Sequence, residues 1–197
     1  MKFHRVFIAI SLPEKIRKLL GAVQDRYLDL PARWVWPDNF HVTLVFLGNT
    51  GDQEVMDVCR AAGEIARRHE PFDFTFDRVC YGPIGKELPR MVWAVGEKSP
   101  GLNVLQMDLQ NTFFESGLSA EALAEAGHSD EEKSFTAHIT LARLRQAELR
   151  QMDQEQALSI DEKIGRTFLV ESIEVMESES KKGGMAYTVL ESFKLGE

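Results

Sequence analysis
The chain has 197 residues, 44% of them hydrophobic, and a formal net charge of −8. That length suits one medium domain, read over 1–197 with a real core. The acidic balance excludes a long nucleic-acid track, which needs a basic stripe, but not a local pocket for one nucleotide end.

Arg5 to Leu12 is rich in Val, Ile and Phe and predicts a strand. Ser11 is placed to cap the helix that follows, with Pro13 in its first turn and Ile16, Leu19, Leu20, Val23 and Tyr27 on one face. The apolar run Val6 to Ile10 is too short for a signal peptide or a membrane span, and Cys59 and Cys80 read as free thiols. A cytoplasmic protein is therefore expected. Leu30 to Asn39 reads as a loop carrying Trp34 and Trp36, and a strand runs from about Phe40 to Leu47, stopping at Gly48-Asn49. A second helix covers roughly Asp52 to His69, and Pro71 ends it. Phe72, Phe74 and Phe76 alternate with polar residues as a half-buried strand, and Tyr81 to Pro89 is a Gly/Pro turn region.

The second half repeats this plan. Arg90 to Gly96 is a strand, and Pro100 opens a helix with Leu102, Leu105, Leu109 and Phe113 inward and Gly117 after its end. Ser119 to Ser134 is an exposed acidic insertion, Thr136 to Leu144 a strand, and Gln146 to Ala157 a helix. Phe168 to Glu177 and Ala186 to Leu195 read as strands, with Lys181-Lys182-Gly183-Gly184 at the tip of the hairpin between them.

The two halves share a motif, His41-Val42-Thr43-Leu44 and His138-Ile139-Thr140-Leu141. Side chains alternate along a strand, so His41 and Thr43 share one face, as do His138 and Thr140. Phe40, Val42, Leu44 and Phe46 fall on the opposite, apolar face of the first strand. One such motif is weak; two in matching places predict an internal duplication. The expected fold is α+β, with two pseudo-symmetric lobes, each an antiparallel sheet with flanking helices, around a central cleft.

Two histidines suit a reaction in which one proton is removed and another delivered. The threonine hydroxyls can donate to non-bridging phosphate oxygens. This is equipment for opening a phosphodiester without a metal, and the sequence lacks a cluster such as His-Glu-x-x-His. No cofactor is expected.

The chain resembles the two-histidine phosphoesterases. Arg5-Val6-Phe7-Ile8-Ala9-Ile10, Trp34 ahead of Pro37, His41 to Gly48, Phe135 to Arg143 and Tyr187-Thr188-Val189-Leu190 are similar to the RNA 2′,3′-cyclic phosphodiesterases, also called 2′-5′ RNA ligases. Ala137 departs from the proline usual in that family. The resemblance implies hydrolysis of a 2′,3′-cyclic phosphate at an RNA 3′ end to a 2′-phosphate, without a metal. The alternatives are reversible 2′-5′ ligation of tRNA halves, or a non-catalytic RNA-end binder. The expected partners are RNA 3′ ends or nucleoside 2′,3′-cyclic phosphates, with no membrane, and the chain is expected to act as a monomer.

His41 and His138 are the catalytic candidates, and Thr43 and Thr140 the phosphate binders. A symmetric pair does not assign the two roles; the order adopted has His138 activating water and His41 protonating the leaving oxygen. Arg143 lies five residues after His138, so a regular strand turns it away, and only a bulge or strand end brings it to a phosphate. Phe46 and Trp34 are weighed as contacts to a base against packing in the core. His4, His69 and His128 read as surface or structural groups.

Overall fold
The computed structural model describes residues 3–85, 88–118, 135–151, 160–182 and 184–197. The insertion expected over 119–134 and the 152–157 part of the last expected helix lie outside them. One sheet contains β1 (Phe3–Ser11), β3 (His41–Gly51), β8 (Ser172–Lys181) and β9 (Gly184–Lys194), in the order β3-β1-β8-β9. The other contains β2 (Ala32–Trp34), β4 (Phe72–Gly82), β5 (Met91–Gly96), β6 (His138–Leu144) and β7 (Asp161–Val170), in the order β2-β6-β5-β4-β7. All paired strands are antiparallel. The two-sheet α+β architecture is thus as expected, but the sheets are not the two halves of the sequence. β2 from the first half edges the second sheet, and β8 and β9 from the second half complete the first.

Among the described residues three long helices cover the sheets. α1 (Glu14–Gln24) buries Ile16, Leu20 and Val23. α2 (Asp52–Ala66) buries Val58, Ala62 and Ile65, and its Glu54 carboxylate accepts the Gly51 N–H at 2.7 Å, closing the first turn. α3 (Pro100–Glu115) buries Leu102, Leu105, Leu109 and Phe113, as the spacing predicts, and Gly117 follows with φ +73°. A short helix, α4 (Gln146–Leu149), follows β6. One apolar cluster joins Ile8 and Val42 of the first sheet to Phe74 and Ile139 of the second and to Leu20 and Ile65 of the helices. Among the described residues no helix is long and apolar enough to cross a membrane.

Four expectations change. Ser11 does not cap α1; it ends β1 opposite His41, and its N–H donates to Glu174 at 2.9 Å, so α1 starts after Pro13 without a side-chain cap. The loop from Leu30 to Asn39 contains β2, too short to show a period between its flanking prolines. Gly48 is not a stop: its φ of +75° absorbs a bulge and β3 runs on to Gly51. Phe168 to Glu177 is not one strand, because the chain passes from one sheet to the other at Glu171 while hydrophobic alternation continues through it.

The pairings on both motif strands skip a residue at the same place. Along β1–β3 the register passes from Ile8↔Val45 to Ala9↔Thr43, leaving Leu44 extra. Along β5–β6 it passes from Val92↔Ala142 to Trp93↔Thr140, leaving Leu141 extra. Buried Gln24 of α1 supports the second bulge, its side-chain amide donating to the carbonyls of Leu141 and Val35, each at 2.9 Å. We predict that Gln24→Leu, which removes both of these bonds, costs about 1–3 kcal/mol in a urea denaturation. An unchanged midpoint would show that the bulge needs no such support.

Candidate functional site
His41 opens β3 and His138 opens β6. In each, ring Nδ1 donates to the backbone carbonyl two residues earlier: Asn39 at 2.8 Å and Thr136 at 2.8 Å. A carbonyl only accepts, so both neutral rings carry their proton on Nδ1 and present a bare Nε2. The Asn39 side chain also donates to the Met185 carbonyl at 3.0 Å, tying the turn before His41 to β9.

Different aromatic groups back the two rings. His138 stacks on Trp93, with centroids 3.9 Å apart and planes at 25°. Trp93 lies over Gly82, where any Cβ would collide with the indole. His41 packs against Phe7 at 5.0 Å and meets Tyr187 edge-on at 4.9 Å. Each ring thus sits over a small apolar cluster separate from the main core: Phe7, Ala9 and Met176 on one side, Cys80, Trp93 and Val95 on the other.

Burial lowers the pKa of both imidazoles below the ordinary value of about 6.5. The bonds to Asn39 and Thr136 oppose this, and the charge of His138 depresses His41 further. That effect on His41 fits the meeting of β3 and β6, strands of different sheets.

From the histidine onward, the motif strands share one burial sequence through Leu47 and Leu144. Thr43 and Thr140 are half-buried on the histidine face, with Ala9 and Trp93 directly opposite them. The Thr43 hydroxyl has no hydrogen bond among the described residues, and the Thr140 hydroxyl has only the Met91 sulfur at 4.0 Å.

The bulges then change the parity. Phe46 was expected on the apolar face, yet it is 43% exposed and lies 5.6 Å from Phe7, on the histidine side. Arg143 is turned out in the same way, between buried Ala142 and Leu144, and its charge reaches Tyr187 of the other sheet. Trp34 pairs with Ala142 and packs, partly buried, against the main core.

His4 bonds Glu177 and Asp52, and His69 bonds Asp108, as structural groups do; His128 lies outside the described residues. No group of three or more His, Cys, Asp or Glu among the described residues is arranged to hold a metal ion. Sequence reasoning assigned no role to Trp93, Tyr187 or Phe7, whose places depend on strand register.

A family model described as LigT-like phosphoesterase matches residues 6–93. An RNA 2′,3′-cyclic phosphodiesterase of Thermus thermophilus is 32% identical over 193 residues, 97% of this chain and 90% of that protein. A crystal structure of a protein from the same organism is 30% identical and superposes with a TM-score of 0.80 over 98% of each chain. Escherichia coli LigT, crystallised with 3′-AMP, is 26% identical with a TM-score of 0.73 over 100% of each chain. Another curated RNA 2′,3′-cyclic phosphodiesterase, of Geobacillus stearothermophilus, is longer, and the match spans 44% of it.

We predict that both histidine Cε1 proton resonances titrate below pH 6.5 in the free protein, and that His138→Asn raises the His41 midpoint by removing a neighbouring positive charge. A His41 midpoint unmoved in that variant would place the rings too far apart to share a ligand.

Proposed function
The chain belongs to the LigT-like phosphoesterases, and from that membership we propose that it is an RNA 2′,3′-cyclic phosphodiesterase that works without a metal. The observation that carries the reading is the matched pair of imidazoles, each with Nδ1 tied to a carbonyl and Nε2 bare.

In the proposed reaction one Nε2 takes a proton from water as its oxygen attacks phosphorus. The other ring, as imidazolium, gives its proton to the 3′ oxygen as the bond from phosphorus to that oxygen breaks. The product is a 2′-phosphate beside a free 3′-hydroxyl, and the two histidines exchange protonation states. Thr43 and Thr140 donate to the non-bridging oxygens, where charge gathers in the transition state. Arg143 adds positive charge on the same face, and exposed Phe46 offers a ring to a base.

The low imidazole pKa values fit this division. Both depressed imidazoles are mostly neutral near neutrality in the free protein, which leaves Nε2 available as a base, and the charge of one ring disfavours protonation of the other. An anionic substrate stabilises the imidazolium and raises both values. One apolar cluster shared by both sheets supports reading 1–197 as one bilobal domain, and the free thiols Cys59 and Cys80 support a reducing compartment such as the cytoplasm.

Incubation with adenosine 2′,3′-cyclic phosphate in EDTA is expected to yield the 2′-monophosphate. His41→Ala and His138→Ala are each expected to lower kcat by at least about 10²–10⁴-fold while the circular dichroism spectrum is kept. The bell-shaped kcat profile should lie at higher pH than that of kcat/KM, because bound phosphate raises both imidazole pKa values. Turnover surviving both substitutions, or a 3′-phosphate product, would refute the assignment.

A further inference from the structure
Several arginines of this acidic chain meet carboxylates. Arg26 meets Glu162 at 2.7 Å, Arg60 meets Asp57 at 2.6 Å, Arg68 meets Asp108 at 3.1 Å and Arg145 meets Glu148 at 3.3 Å. Two others face each other instead. Arg33 of β2 and Arg143 of β6 are directly opposite in the antiparallel pairing, and neither has a carboxylate partner among the described residues.

Both point away from the core. Ala32 and Trp34, on either side of Arg33, pack on the main apolar cluster, as do Ala142 and Leu144 around Arg143. Arg33 crosses to the first sheet, where its Nη2 lies 3.1 Å from the position a Cβ on Gly184 would take. Arg143 reaches the neighbourhood of Tyr187, the ring that meets His41 edge-on. Like charges directly opposite in an antiparallel pair destabilise a sheet. An anion between them reverses the sign, and two guanidinium groups suit the oxygens of a phosphate.

The scissile phosphate has its own donors, Thr43 and Thr140. Arg143 lies three positions beyond Thr140, about 10 Å along the strand, and Arg33 is one strand further out. We infer that Arg33 and Arg143 form a second anion subsite, which takes the phosphodiester one nucleotide upstream of the cyclic phosphate. The inference rests on the reading of the histidine pair given above. It makes the end of an RNA chain, rather than a mononucleoside, the substrate class the site is built for, with Arg33 a specificity-determining residue.

The test compares adenosine 2′,3′-cyclic phosphate with the dinucleotide ApA carrying the same cyclic end, on the wild type, Arg33→Gln and Arg33→Lys. The wild type is expected to favour the dinucleotide by about tenfold in kcat/KM; Arg33→Gln should erase that preference and Arg33→Lys keep most of it. Mononucleoside turnover should stay within about twofold in every case, which also reports an intact fold. Loss on both substrates in equal proportion, or no change on either, overturns the inference. Binding of the corresponding 2′-phosphate products separates it from the hydrolytic reading. If no cyclic phosphate is opened but Arg33→Gln still weakens ApA 2′-phosphate about tenfold and lowers its log–log salt slope by about 0.7, the subsite stands and the catalytic reading falls. Equal affinities for both products in both proteins remove the subsite.

Discussion

Each imidazole is oriented by a carbonyl oxygen two residues before it, and the chemistry of the site depends on that bond. A histidine ring free to flip presents either nitrogen and either tautomer. A fixed carbonyl accepts from only one side of the ring, which leaves the opposite nitrogen as the sole basic atom. The carbonyls belong to Asn39 and Thr136, just outside the strands, where the backbone is not yet committed to ladder bonds. A motif histidine at the first strand position is therefore worth more than one in the middle. It is held by backbone, so no carboxylate is needed to orient it, and no negative charge is brought in to raise its pKa. The aromatic groups behind the rings complete this arrangement: stacking fixes the plane of His138 on Trp93, while burial keeps the free nitrogens weakly basic.

The same economy explains the bulges. A regular strand places alternate residues on one face and allows the motif only its histidine and threonine. One extra residue after each threonine moves the next outward position by one, so Phe46 and Arg143 join the histidine face while Leu44 with Val45, and Leu141 with Ala142, stay buried as consecutive pairs. Chance bulges would not fall at the same motif position in two sheets. With the matching carbonyl bonds they make the strongest sign of duplication, a closer one than the sheets themselves, whose strands are exchanged between the halves of the chain.

Much of this was legible in the amino-acid order and some was not, for physical reasons. The apolar stripes of α1 and α3 and the alternation of Phe72, Phe74 and Phe76 report local periodicity directly. The paired motifs marked His41, Thr43, His138 and Thr140 because alternation is itself a local rule. Phe46 was misplaced because a bulge is a property of two strands, not one. Trp93 and Tyr187 went unassigned for the same reason: what brings them to the histidines is register and the meeting of two sheets. β2 and the first part of β7 escaped notice because edge strands carry little apolar signal; β2 has three residues, and β7 begins Asp161-Glu162-Lys163, charges that discourage further pairing at the edge.

Net charge shows how a global quantity and a local one part company. A total of −8 repels a polyanion at long range, but salt screens that field over about 10 Å, whereas a contact acts within bonding distance. An acidic exterior therefore disfavours binding along the length of an RNA and leaves a small cationic pocket able to hold its end. Acidic residues neutralise some arginines, Arg26 and Arg68 among them, whereas Arg33 and Arg143 face one another. The unfavourable cross-strand pair is then intelligible. Charges that would be silent if each met a carboxylate are kept facing one another beside the histidines, where their repulsion is relieved only when a phosphate enters.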